Sequence, residues 1–216
     1  MFPKSVPGLF VPDSRPRHPP WTDLSLADGA ARYWPAAFSA AESASLFEGL
    51  RRTVAWQQEQ VLIFGRWRQV PRIVAWYGDA GASYTYSGTS HDPLPWTDEV
   101  ATLRTRVEQL TGHPFNGVLL NLYRDGRDGM GWHSDNEPEL GPEPVVASVS
   151  FGAPRRFRLK HKRRKDQKAE LLLEDGSVLL MSGATQANWL HSVPKTSTKV
   201  GERINLSFRQ VVGNDR

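Results

Sequence analysis

His133 and Asp135 stand two apart in a stretch, residues 121–137, that is denser in polar chemistry than any other part of the chain: Asn-Leu-Tyr-Arg-Asp-Gly-Arg-Asp-Gly-Met-Gly-Trp-His-Ser-Asp-Asn-Glu. On an extended strand, side chains two apart leave by the same face, so this imidazole and carboxylate can reach one metal ion. A third ligand would complete a two-His-one-carboxylate facial set, the arrangement that leaves positions on Fe(II) open for a co-substrate and oxygen. His191 is the candidate among six histidines. His18 lies in a proline-rich tail, His91 in a Ser-Gly-Thr-Ser loop, His113 beyond a helix stop and His161 in a basic run. A His-x-Asp pair also arises as a surface ion pair, and His191, just before Pro194, also suits a core imidazole.

Residues 203–209, Arg-Ile-Asn-Leu-Ser-Phe-Arg, alternate with period two. Arg203, Asn205, Ser207 and Arg209 share one face of a strand, and Ile204, Leu206 and Phe208 the other. The polar face suits an edge strand in water. It equally suits a dicarboxylate, because guanidinium forks grip carboxylates in bidentate fashion.

Together, Asn121-x-Tyr123, His133-x-Asp135, His191 and Arg203-x-Asn205-x-x-x-Arg209 resemble the AlkB family of Fe(II)- and 2-oxoglutarate-dependent dioxygenases. The resemblance runs from about residue 64 to 211. Its flanking text (Val70-Pro-Arg72, Tyr77-Gly-Asp-Ala-Gly81, Tyr84-Thr-Tyr-Ser-Gly88, Ala147-Ser-Val-Ser-Phe-Gly152) is most similar to the mammalian homologue that repairs duplex DNA. It implies Fe(II) on His133, Asp135 and His191. It also implies 2-oxoglutarate held by Asn121, Tyr123, Arg203, Asn205 and Arg209; the reading adopted puts Arg203 on the far carboxylate and Arg209 on Asp135 and the metal-side carboxylate, with the reverse assignment of the two arginines as the alternative. O2 is the second co-substrate. The implied reaction decarboxylates 2-oxoglutarate to succinate and hydroxylates an N-methyl group, which leaves as formaldehyde. The expected substrate is methylated DNA carrying 1-methyladenine or 3-methylcytosine, duplex or single-stranded. Rival readings are the same chemistry on RNA or protein, and a catalytically idle nucleic-acid-binding jelly roll.

A base treated inside DNA must leave the stack and be held between flat groups. By resemblance, Tyr86 and the His133 ring form that sandwich, Tyr84 and Glu137 hydrogen-bond the base, and Arg72 lies near the flipped nucleotide's phosphate. Asn136 stands where the mammalian relative has an acidic residue. Phe64, in Ile63-Phe64-Gly65, matches a finger that fills the gap left by the flipped base; a Phe folded back on its own sheet is the plainer reading of the same residue.

The charge distribution adds a second signal. Residues 155–168 hold nine Lys or Arg against one Asp, so the rest of a chain with net charge +4 is acidic. Such a run reads either as a solvated hairpin or as a polyanion contact through Arg163, Arg164 and Lys165. With no Cys, the chain has no disulfide, thiolate metal site or cysteine nucleophile. No segment approaches the roughly 18 apolar residues of a membrane span, and Pro3, Pro7, Pro12, Pro16, Pro19 and Pro20 occupy the place of a signal helix. The expectation is a cytoplasmic monomer with no membrane partner.

The elements that must position these residues follow from pattern. With 39% apolar residues, 216 residues suit one domain. Residues 1–28 read as an extended or mobile tail, and 29–216 as the domain. Ser39-Ala-Ala-Glu42 is a capping box for a helix ending near Trp56, with Leu46, Phe47, Leu50 and Val54 as its buried stripe. Residues 60–69 and 71–77 read as strands with a turn at Phe64-Gly65. A second helix carries Val100, Leu103, Val107 and Leu110 and stops at Gly112. Strands follow at 118–124, 131–135, 145–151, 156–161, 171–173, 177–181, 188–191 and 203–211. The predicted fold is mainly β (α+β), a jelly roll backed by two helices. The resemblance implies the double-stranded β-helix, with a nucleotide-recognition lid at about 57–95 and the core at about 113–212.

Overall fold

The computed structural model describes residues 19–63, 65–86 and 89–212, with backbone alone at 62, 63, 84–86 and 89–91. Two strands, β1 (Thr22–Leu24) and β2 (Ala30–Trp34), precede α1 (Ala40–Thr53). Then come β3 (Gln60–Ile63), β4 (Arg66–Gln69), β5 (Ile73–Gly78), β6 (Tyr84–Tyr86), β7 (Thr89–His91) and α2 (Asp98–Thr111). The second half holds β8 (Gly117–Tyr123), β9 (Met130–His133), β10 (Val146–Gly152), β11 (Arg155–His161), β12 (Lys168–Leu173), β13 (Ser177–Ser182), a single turn α3 (Thr185–Asn188), β14 (Trp189–Val193) and β15 (Arg203–Arg209).

Two antiparallel sheets face each other, as expected for a jelly roll. The large sheet runs β1-β2-β13-β10-β15-β8-β5 and the small one β12-β11-β14-β9. β15 lies inside the large sheet, paired with β10 on one side and β8 on the other. Its alternation therefore separates two environments. Ile204, Leu206 and Phe208 are fully buried against the helix-side core with Leu50, Val100, Leu103 and Val107. Arg203, Asn205, Ser207 and Arg209 turn into the space between the sheets. Each buried apolar side chain of this kind contributes roughly 1.5–3 kcal/mol, so slipping β15 by one residue would bury two guanidinium groups under the helices. A second core, including Phe157, Leu159, Leu179, Met181 and Trp189, fills the rest of the space between the sheets.

The helices form where their caps predict. Ser39 and Glu42 make the reciprocal capping box of α1, and Gly112 closes α2 at φ 77°, a left-handed conformation that glycine adopts without strain. The expected strand over 60–69 is instead the hairpin β3–β4, reversed at Gly65 with φ 72°. β4 is exposed at all four residues, so the hairpin stands clear of the body. β1 falls in the stretch read as tail: Leu24 and Ala31 are register partners, and β2 in turn pairs with β13. Strands of three and five residues are too short to show periodicity, which is why β1 and β2 escape the sequence pattern.

Candidate active site

His133 ends β9 and His191 sits mid-β14, and the two are register partners across that pair. Asp135 lies just beyond β9 in the loop that follows, not on the strand itself. One ligand atom from each of the three lies within 4.8 Å of the others, the span of a single metal ion's coordination shell. Asp135 and His191 are buried and His133 is half-buried, so the open side of the cluster is at His133. His133 Nδ1 lies 2.9 Å from the Gly131 carbonyl. A carbonyl only accepts, so this contact places the proton on Nδ1 and leaves Nε2 for a metal. His191 turns its Nε2 toward Asp135 Oδ2 at 3.5 Å, and Phe157 stacks on its ring at 5.3 Å.

Charge is arranged to keep these groups in their metal-binding forms. Burial alone would raise the Asp135 carboxyl, but the Arg209 guanidinium and the two imidazoles outweigh it and hold the carboxyl well below the usual range. Arg209 Nη2 donates to Asp135 Oδ1 at 2.6 Å. Burial, reinforced by His133, pushes the His191 imidazole down to about 3 against the pull of Asp135, so it is neutral at ordinary pH. The Asp135 backbone N–H donates to Gln186 Oε1 at 3.0 Å, fixing the ligand loop to α3. Gln186 was not legible from sequence: a buried Gln in a four-residue helical turn has no pattern of its own.

Deeper in the same cavity the large sheet presents a polar ladder. Asn121 and Asn205 are cross-strand partners, with Asn121 Nδ2 at 3.5 Å from Asn205 Oδ1. Asn205 Nδ2 donates to Ser148 Oγ at 2.8 Å. Arg203 closes the ladder, beside the Tyr123 ring at 5.1 Å and donating from Nη2 to Ser150 Oγ at 2.9 Å. It is only 1% exposed, yet its Nε and Nη1 have no protein partner. Burial lowers its pKa to about 10, with Arg155 acting in the same direction and Tyr123 opposing, so it remains charged. A buried cation with two vacant donors is costly unless a ligand satisfies it. A carboxylate is the ligand whose geometry fits that fork. The residues therefore fit both Fe(II), through the His-Asp-His donor set, and 2-oxoglutarate, through Arg203 and the ladder.

The substrate-side expectations divide. Arg72, expected beside a nucleotide phosphate, is 2% exposed and donates from Nε to Asn121 Oδ1 at 2.7 Å. Through Nε it thus braces the co-substrate wall, whereas the sequence reading places it near a nucleotide phosphate. Glu137 is half-buried two residues beyond Asp135. Tyr84 and Tyr86 lie on β6, paired with β7; their side chains, like the whole of Phe64, lie outside the described residues. Arg163, Arg164 and Lys165 are exposed at the tip between β11 and β12, with Arg164 3.0 Å from Asp28. Arg155, the first residue of the basic run, is buried and donates to the carbonyls of Asp128 and Pro194, so it belongs to the scaffold.

Sequence comparisons agree with this chemistry, and a structure comparison agrees with the fold. A family model described as the 2OG-Fe(II) oxygenase superfamily matches residues 30–209. The chain is 39% identical over 206 residues to mouse DNA oxidative demethylase ALKBH2, covering 91% of this chain and 86% of that protein. It is 39% identical over 192 residues to human alpha-ketoglutarate-dependent dioxygenase alkB homolog 3, covering 85% and 66%. The solved structure of OsALKBH1 superposes with a TM-score of 0.61 at 14% identity, covering 88% of this chain and all of that one, and so supports the fold alone. The chain belongs to the 2OG-Fe(II) oxygenase superfamily and, within it, to the AlkB family.

Proposed function

We propose that this protein repairs DNA by oxidative demethylation, acting on 1-methyladenine and 3-methylcytosine. The observation that carries the reading is the single cavity in which a His-Asp-His cluster adjoins a buried arginine with two unpartnered donors. The name of the ALKBH2 relative, a DNA oxidative demethylase, supplies the substrate class, and that of the alkB homolog 3 relative the co-substrate. Iron, when bound, supplies oxygen activation. Per turnover, 2-oxoglutarate and O2 give succinate and CO2 while the N-methyl group gains one oxygen; the resulting hydroxymethyl amine breaks its C–N bond to release formaldehyde.

The chain's own residues set the geometry. Arg203 and the Asn121–Asn205 ladder orient the co-substrate's far end, and Arg209 keeps Asp135 ionised. Phe157 and Met181 line the cavity and exclude water from its inner wall. The half-buried His133 marks where a base would approach, with Tyr84, Tyr86 and Glu137 as its contacts, Phe64 as the wedge and Arg163, Arg164 and Lys165 on the backbone. Cytoplasmic location and a monomeric state belong to the same proposal. Among the described residues no helix is long and apolar enough to cross a membrane.

The deciding experiment measures formaldehyde and succinate with Fe(II), comparing methylated duplex DNA, single-stranded DNA, RNA and peptide. Release in a one-to-one ratio from methylated DNA is expected; release only from peptide, or from none, would remove the proposal. The same oxygenase chemistry on RNA is the alternative, and the RNA arm tests it.

A further inference from the structure

The metal-binding carboxylate is held from two sides: Arg209 grips the Asp135 side chain, and Gln186 grips its backbone. Asp135 lies past the end of β9, so its N–H is outside the ladder and donates to Gln186 Oε1 instead. Gln186 is fully buried. Because an N–H only donates, this contact fixes the orientation of the amide and turns Nε2 toward Met181 Sδ at 3.7 Å, a weak acceptor. Removing Oε1 would leave a buried N–H without a partner, which costs more than the bond itself contributes. The loop that carries Asp135 would then have to move to recover one.

Gln186 is only as well placed as α3, a single turn too short to hold its own shape. Two parts of the chain hold it. On one side Lys162, just past β11, donates from Nζ to the Gln186 carbonyl at 2.8 Å and from its backbone N–H to the Asn188 carbonyl at 2.7 Å. On the other side stand residues 27–30, the turn that leads into β2. The Ala30 N–H donates to Thr185 Oγ1 at 2.8 Å, Asn188 Nδ2 to the Asp28 carbonyl at 2.9 Å, and Trp189 Nε1 to the Ala27 carbonyl at 2.8 Å. Gly29 packs against the same two residues: a Cβ there would come to 3.0 Å from Thr185 Oγ1 and 3.2 Å from the Trp189 indole. Asp28 turns the chain into this contact at φ 53°, a left-handed conformation that Asp tolerates better than most residues.

We infer that residues 27–30, α3 and Gln186 form one clamp that positions Asp135, so that a segment ahead of both long helices sets the affinity of the metal centre. Ala30 and Thr185 are 155 residues apart in the chain, and Thr185 adjoins Gln186 on one turn, so displacing the segment displaces the acceptor that Asp135 needs. Partners that orient a metal ligand from outside the coordination shell govern how well the ligand meets the ion. Gln186 is the positioning residue, and the 27–30 turn holds it in place. The inference rests on the His133–Asp135–His191 metal assignment and on nothing about the substrate.

The test is the Mn(II) affinity of the full chain, read from the electron paramagnetic resonance signal of free Mn(II) with no substrate present. Gln186→Leu keeps the volume but offers no acceptor, and is expected to bind Mn(II) roughly 10- to 100-fold more weakly. Gln186→Glu should restore most of that loss, because a carboxyl oxygen accepts from the same N–H in either protonation state. Gly29→Ala, whose added methyl presses on Thr185 and Trp189, should weaken Mn(II) binding several-fold, and so should Thr185→Val, which loses the contact to Ala30. Val100→Ala, in the helix-side core, is the control: it should lower stability in urea and leave Mn(II) affinity unchanged. Wild-type affinity in Gln186→Leu, an equal loss in Gln186→Glu, or wild-type affinity in both Gly29→Ala and Thr185→Val overturns the clamp. So does a loss in Val100→Ala as large as that in Gly29→Ala, since a loosened fold would then account for both. His191→Ala separates the clamp from the assignment beneath it. If His191→Ala loses Mn(II) and Gln186→Leu does not, the metal assignment stands and the clamp alone falls; if His191→Ala binds like wild type, the metal sits elsewhere and both fall.

Discussion

Replacing Arg203 by Lys tests the co-substrate assignment at its most exposed point of logic. Arg203 is 1% exposed, gives Nη2 to Ser150 Oγ, and keeps Nε and Nη1 without a protein partner. If those donors hold the far carboxylate of 2-oxoglutarate, a lysine ammonium keeps the charge but loses at least one of the two parallel bonds. A hydrogen bond between charged groups is worth about 1.5–3 kcal/mol. At 1.4 kcal/mol per tenfold, the KM for 2-oxoglutarate should rise by roughly 10- to 150-fold. Metal affinity should not change, because no hydrogen bond or ion pair links Arg203 to His133, Asp135 or His191. The assay follows succinate formation against 2-oxoglutarate concentration, alongside a titration with Mn(II). A second arm uses a 2-oxo acid lacking the far carboxylate: the wild type should discriminate strongly against it, and the variant far less. A KM within about twofold of wild type, with discrimination intact, would show that another group grips the carboxylate. Loss of metal affinity would mean that the substitution has disturbed the site as a whole.

His191→Ala should abolish formaldehyde release and weaken Mn(II) binding while the circular dichroism stays native; wild-type turnover would remove the ligand assignment. Metal-free protein should lose stability on acidification. The folded His191 pKa of about 3 lies below its unfolded value near 6.5, so the unfolded chain takes up a proton first and the loss runs from about pH 6.5 down to 3. The slope contributed is at most about 1.4 kcal/mol per pH unit. His191→Gln should flatten it in urea titrations, and an unaltered slope would refute the cause. Neutralising Arg163, Arg164 and Lys165 should lower the salt slope of DNA binding by roughly 2 to 3 units, read by anisotropy; a slope that stays put would make the tip merely solvated. Phe64→Ala should reduce demethylation of duplex DNA far more than of single strands carrying the same lesion, since only the duplex must be opened. Equal losses on both would remove the wedge.

The legible parts of this protein are those where one physical constraint writes a repeating pattern. β15 could be read residue by residue because one face meets a helix-backed core and the other a polar cavity, and period-two alternation records the difference. Helices α1 and α2 announced themselves through their caps. What stayed hidden was held by contacts across long sequence separations. The link from Arg72 to the co-substrate wall shows only once the fold places Asn121 Oδ1 within 2.7 Å of its Nε. Gln186 is unremarkable until α3 brings it to the backbone of Asp135. Arg155 sits first in a basic run and yet is spent on carbonyls of two loops.

The basic run illustrates why composition and function separate at the level of single residues. Charge clustering marks residues 155–168 as one unit, but β11 sorts its members by face. Arg155 turns inward as a scaffold brace, and Arg156, Arg158 and Lys160 turn outward. The same alternation puts Leu159 beside His191 on the metal side and Arg158 beside Ser192 on the other. A single strand thereby lines the catalytic cavity with apolar side chains while presenting cations to the surface behind it. A one-residue slip of β11 would exchange the two roles, driving guanidinium groups toward the metal cluster, where their charge would weaken metal binding. The register of this strand is thus fixed by the demands of both faces at once, more firmly than either would fix it alone.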